Sequence, residues 1–216
     1  MLILFYSIWL TLALAVGLFV HSLSVFFIIK RAGVIGNNIL LNAKYSALSF
    51  AVLNGAVWLI SIYAFGSNTL TVEFLIMLSL CLVLSVVDIS IRKIPNEILL
   101  LMLVVSLTFL IANNNIGNIT DRLIGLVAGI IIFLLPTLIG KGAGAGDIKL
   151  AGVVGFCLGF HDMLEAYMYM LIPLLIYTAY VYITKKGNVK SKVALGAFMS
   201  VGFIMVFVVR LLGFSF

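Results

Sequence analysis

Only seven residues of this 216-residue chain are acidic, and their positions decide what chemistry it can carry. Glu73, Asp121, Asp162 and Glu165 fall at one set of ends of the apolar runs, and Asp88, Glu97 and Asp147 at the opposite set. Asp88 closes the run LSLCLVLSVVDISIRKIPN, and Asp147 opens another in GKGAGAGDIKLAG. Two carboxylates distant in sequence therefore arrive at one depth. A carboxylate pair sharing one proton can hydrolyse an amide through water, the ionised group acting as base and the protonated one as acid toward the carbonyl oxygen. That chemistry needs no covalent intermediate, metal or cofactor. The pair titrates as a unit, so base and acid are left unassigned.

Each carboxylate also has a purely structural use. Asp147 can cap a helix, where free backbone N–H groups and the positive end of the dipole favour an anion. Asp88 can pair with Arg92 if its helix runs on four residues. Glu97, just after Pro95 and Asn96, reads as a first-turn helix charge. Capping does not call for the alternating glycines ahead of Asp147, at Gly140, Gly142, Gly144 and Gly146. Glycine there removes bulk and permits extended or left-handed backbone, so a peptide substrate could approach the carboxylate. Pro95 pushes Ile94 toward an extended conformation, so the helix ending near Asp88 is expected to unwind before the next begins.

The elements that must hold these groups are membrane spans. Hydrophobic residues make up 64% of the chain and charged residues 9%, with a mean hydropathy of +1.32. The fold class this implies is an all-α, polytopic membrane bundle. Apolar runs predict eight spans, near 4–29, 45–65, 70–88, 97–112, 122–140, 148–162, 165–184 and 193–213. Seven or six are the alternatives; seven follows if the short, glycine-rich sixth run merges with the seventh as one broken helix. With the amino terminus outside, Lys30, Arg31, Lys44, Arg92, Lys93, Lys141, Lys149, Lys185, Lys186, Lys190 and Lys192 fall inside, and only Arg122 and Arg210 outside. This asymmetry is the positive-inside signature, with both termini outward and Asp88 and Asp147 at the cytoplasmic face. It also accounts for the net charge of +6 without nucleic acid as a partner; the partner is the lipid bilayer. Cys81 and Cys157 lie within apolar runs and suggest neither a disulfide framework nor a metal site. The first run is longer than a signal peptide's apolar core and has no basic lead-in, so it reads as a retained span.

Two motifs resemble those of the type IV prepilin peptidases, a GxGD family of intramembrane aspartic proteases that includes the archaeal preflagellin peptidases. An aspartate followed by a basic residue and I-P-N appears as Asp88, Arg92, Lys93, Ile94, Pro95 and Asn96. The GxGD-x-K pattern appears as Gly144, Ala145, Gly146, Asp147, Ile148 and Lys149. GLFVHSLSVFFIIKR is similar to a diverged form of the family's amino-terminal G-S-F-x-N-V-x-x-x-R segment, with Arg31 matching its arginine. The resemblance implies an aspartic endopeptidase that removes the short basic leader of type IV pilin-like precursors at the cytoplasmic face of the cell membrane. Asp88 and Asp147 would be catalytic, with Gly144, Gly146, Lys149, Arg92, Pro95 and Asn96 around the substrate. It also implies a peptidase region over 70–216, preceded by a two-span region over 1–69. In larger relatives the first cytoplasmic loop carries paired cysteines and accompanies an S-adenosylmethionine-dependent methyltransferase activity. The loop here is short and has no cysteine, which argues against methylation. SKVALGAFMSVG resembles the family's late P-x-x-P-hydrophobic-G segment without its prolines.

Two other readings compete. Signal-peptide-peptidase and presenilin relatives also use two aspartates, but their first motif is Tyr-Asp and they carry a late P-A-L. Here Val87 precedes Asp88 and no P-A-L occurs. A small transporter relaying cations or protons through the same carboxylates explains the charges but not the glycines.

Overall fold

The computed structural model describes residues 2–33, 41, 45–139, 144–184 and 193–213. Among the basic residues assigned to the inner face, Lys44, Lys141, Lys185, Lys186, Lys190 and Lys192 lie outside the described residues, as do Gly140 and Gly142. The described residues hold eight α-helices and no strand: α1 (Leu2–Ala32), α2 (Ser46–Phe65), α3 (Thr69–Ile91), α4 (Asn96–Ala112), α5 (Ile119–Leu138), α6 (Ala145–Leu158), α7 (Phe160–Thr184) and α8 (Leu195–Leu211). Each predicted run has its helix. Of these, α1, α2, α3, α5 and α7 are long and apolar enough to cross a membrane, as expected of a polytopic helical membrane protein. At about 1.5 Å per residue, the 14-residue α6 rises only about 21 Å.

The chain forms two compact units, Met1–Arg92 and Lys93–Phe216. In the first, α1 packs against α2 and α3. A Cβ at Gly17 would lie 2.6 Å from the Ala51 Cα, so only a residue without a side chain lets α1 and α2 meet here. The buried Asn54 ties all three helices. Its Nδ2 donates to the Ala13 carbonyl at 3.1 Å, and its Oδ1 accepts from Ser79 Oγ at 3.3 Å. His21 reaches across to α2, its Nε2 lying 3.0 Å from Ser46 Oγ. Asn68 starts α3, its Oδ1 accepting from the Thr71 N–H at 2.7 Å.

The second unit is built around α6, on which every residue from Leu150 to Leu158 is buried. It packs against α4, α5, α7 and α8. A helix enclosed on all sides needs small residues where backbones meet. Cβ atoms at Gly125 and Gly155 would each collide with the other residue's carbonyl, and one at Gly129 would collide with that of Ala151. These pairs run antiparallel, and the Gly125-x-x-x-Gly129 spacing is the small-residue pattern that brings membrane helices together. Beside α5, α7 folds back along α6, with Met163 next to Gly155 and Tyr167 Oη donating to the Ala151 carbonyl at 3.1 Å. Gly202 of α8 packs on the Ala166 carbonyl of α7.

Three boundaries differ from expectation. α3 continues to Ile91, so Asp88 lies inside its last turn rather than closing it. α6 begins at Ala145, and the break after it is Gly159 rather than His161-Asp162. Gly159 has φ +89, a conformation open to glycine, and it alone separates two distinct helices. His161 and Asp162 belong to the first turn of α7.

Replacing Gly155 with valine should abolish the α5–α6 contact and cost about 3 kcal/mol or more, since the clash is with backbone that cannot repack. Gly117→Ala, where a Cβ meets nothing within 4 Å, should be neutral. Thermal unfolding in detergent compares the two.

Candidate active site

In the first unit, Asp88 sits four residues before the end of α3's hydrogen bonding and is 4% exposed. The helix stops because Arg92 adopts a left-handed conformation, φ 52 and ψ 40, with its N–H donating to the Asp88 carbonyl at 2.8 Å. This is a single-bond left-handed cap, usually made by glycine. A side chain in that region costs about 1–2 kcal/mol. The Arg92–Asp88 contact is the backbone bond of the last helical turn, distinct from the side-chain ion pair that the spacing allowed. Arg92 and Lys93 are exposed.

In the second unit, Gly144 is the N-cap of α6 and Asp147 its third residue. Asp147 Oδ2 accepts from the Gly144 N–H at 2.9 Å, the half of a capping box that a glycine N-cap allows. The expected capping use is therefore present, and it holds the carboxylate at the helix start. Asp147 precedes the apolar stretch that begins at Ile148. Burial pushes its carboxyl up from the ordinary carboxylate range, with the Gly144 N–H acting in the opposite sense.

The glycines serve packing more directly than the sequence suggested. Gly144 is extended, with φ −66, and a Cβ there would lie 3.3 Å from Asp147 Oδ2. Gly146 is helical rather than part of a loop, and a Cβ on it would come 3.2 Å from Ile94 Cβ. The space beside Gly146 is filled by Ile94, not open to a second chain. Lys149 Nζ donates to Asn96 Oδ1 at 3.3 Å. The Ile94-Pro95-Asn96 segment and the Gly144–Lys149 segment, fifty residues apart, thus meet residue by residue. Ile94 and Pro95 are buried and Asn96 and Lys149 exposed, while Glu97 takes the expected first-turn place in α4.

The profile of the type IV leader peptidase family matches residues 75–184, half of the chain, and includes both aspartates and both segments. The chain belongs to the type IV leader peptidase family. Among curated proteins, the prepilin leader peptidase/N-methyltransferase of Bacillus subtilis (strain 168) is 31% identical over 124 residues, covering 56% of this chain and 48% of that protein. The chain thus matches about half the length of this relative. No solved structure gives a match.

The other end of the second unit also carries charge. Arg122 Nη1 donates to Ser106 Oγ at 2.5 Å, and Arg210 pairs with Asp162 and donates to the Leu158 carbonyl at 3.0 Å. The two arginines that break the basic asymmetry are held by structural contacts. Sequence reasoning missed these contacts and the Asn54 node. A buried asparagine amid an apolar run, and opposite charges at matching helix ends, were the available signals. Among the described residues, no three His, Cys, Asp or Glu side chains gather as a metal site would require.

Gly146→Val should destabilise the protein by about 1–3 kcal/mol through overpacking. Adding Ile94→Ala should recover a measurable part, because residues in contact couple by about 0.5–3 kcal/mol. A double-mutant cycle by thermal unfolding reads the coupling; strict additivity would place the two residues apart.

Proposed function

We propose that the chain is a membrane-embedded aspartic endopeptidase that cuts the short basic leader from type IV pilin-like precursors, with Asp88 and Asp147 as its catalytic pair. The observation that carries this is the assembly of the two motif segments in the second unit, with Ile94 against Gly146 and Asn96 on Lys149. Asp147 adjoins one of these contacts. Asp88 lies six residues before Ile94 in the chain.

Hydrolysis then follows from two carboxylates with one proton between them. The ionised aspartate removes a proton from water, whose oxygen attacks the leader's scissile carbonyl carbon. The protonated aspartate delivers its proton to the carbonyl oxygen, giving a neutral tetrahedral diol. Collapse of the diol breaks the C–N bond; the leaving nitrogen gains a proton from one carboxyl, and a diol hydroxyl returns one to the other. The pair ends with the single proton it began with. Arg92 and Lys149 are suited to hold acidic groups of the precursor, and Gly144, Pro95 and Asn96 to shape the approach to Asp147.

The bilayer bears on where this happens. Lys30 and Arg31 lie in the last turn of α1, Arg92 and Lys93 follow α3, and Lys149 is the fifth residue of α6. This distribution favours an active site at the cytoplasmic face of the cell membrane, with both termini outside. The division of labour follows motif content, with the peptidase region over 70–216 and the preceding two spans, 1–69, supporting it.

Asp88→Asn and Asp147→Asn should each abolish leader cleavage, by a factor of 10³ or more on the scale of lost catalytic groups, in a strain co-expressing a pilin-like precursor and with insertion matched to wild type. Cleavage surviving either change would break the pair. Lys149→Gln should lower cleavage only severalfold, as removal of a positioning contact would.

A further inference from the structure

Between Lys149 and Leu158, α6 carries no charged side chain, so few directional contacts set its depth and rotation. Tyr167 supplies one near the start, and Cys157 Sγ lies 3.8 Å from the Met102 carbonyl. Lys149 donates to Asn96 at the start, and further contacts are at the far end, where α6 turns into α7 through Gly159 alone. Asp121 of α5 approaches this turn from one side, its Oδ2 accepting from the Phe160 N–H at 3.2 Å and closing the space that a Cβ on Gly159 would need. Arg210 of α8 approaches from the other. Its guanidinium holds Asp162 in the first turn of α7, with Nε to Oδ2 at 2.6 Å, and donates to the Leu158 carbonyl at the end of α6. It also lies over the Phe207 ring, with Cζ 5.6 Å from the centroid.

A cation on the last carbonyls of one helix and an anion at the free N–H groups of the next both complement the helix dipoles. We infer that Asp121, Asp162 and Arg210 form a clamp on the α6–α7 turn that sets the axial position of α6, and so positions Asp147 at its opposite end. They are positioning residues for the proposed cleavage, and this inference rests on that reading. α6 transmits the constraint because it is short, buried throughout and packed backbone to backbone on α5 by Gly125, Gly129 and Gly155. Apolar packing on α6, such as Ile130 on Gly152, is not directional, and the polar groups at the turn add directional contacts to it.

The test reads the start of α6 directly. Cysteines replacing Gly146 and Ile94 would have Cβ atoms near 3.2 Å, close to the roughly 3.5–4.5 Å of a disulfide, and the native Cys81 and Cys157 are buried. In membranes, Ile94→Cys/Gly146→Cys should form the bridge under mild oxidation. Adding Arg210→Gln should slow bridging at least fivefold, and Arg210→Lys, which keeps a charge on Asp162, should restore part of it. Asp162→Asn is the second variant, in case Arg210→Gln does not accumulate, and should also slow bridging. In the wild-type 94/146 background, Arg210→Gln should lower kcat for leader cleavage about tenfold with KM within twofold. Unchanged bridging in both Arg210→Gln and Asp162→Asn overturns the clamp, whatever happens to cleavage. Slowed bridging in a protein that never cleaves a precursor supports the clamp and removes the proposed function instead.

Discussion

The close approach of α5 and α6 is the constraint on which the second unit depends. α6 is too short to behave as an ordinary span and is enclosed by four other helices, so each neighbour must reach its backbone without leaving a void. Gly125 and Gly155 meet so tightly that neither could carry a side chain. In a bilayer no hydrophobic force draws helices together, and dispersion between closely fitted backbones must supply the attraction. Around this contact α4 runs parallel to α6, and α5 and α7 run antiparallel to it, so the starts of α4 and α6 share one end of the unit.

That arrangement separates the acidic residues by what they touch. Asp121 meets a backbone N–H, and Asp162 meets Arg210, so both serve the α6–α7 turn. Asp147 meets only the N–H at its own helix start among the hydrogen bonds described for it, and beside it two segments from distant sequence are locked together by Ile94 on Gly146 and Lys149 on Asn96. The family profile covers both ends of α6, including Asp121 and Asp162, and stops short of Arg210. The proposed chemistry and the contacts at the α6–α7 turn therefore lie at opposite ends of one short helix.

Much of this was legible in the sequence. Hydropathy located all eight helices of the described residues, and the two aspartates could be singled out because charge in such a chain is rare. The errors have physical causes. Hydrophobicity drops after Asp88, but helical hydrogen bonding continues through Ile89, Ser90 and Ile91 until Arg92 turns left-handed. His161-Asp162 looked like a loop because it is polar, yet a carboxylate paired with Arg210 is at home in a helix start, and Gly159 made the turn. The role of Gly146 could not be read locally, since the group it accommodates, Ile94, lies 52 residues earlier in the chain. The Gly125-x-x-x-Gly129 spacing was readable and marks the interface that organises the unit.

The central claim is that Asp88 and Asp147 act as one site. Cysteines placed at both positions, in membranes containing a pilin-like precursor, test it most directly through disulfide formation and short bifunctional thiol reagents. The account predicts an efficient cross-link that the precursor strengthens. No cross-link with either chemistry, in a protein that inserts and whose introduced cysteines react singly, would contradict it.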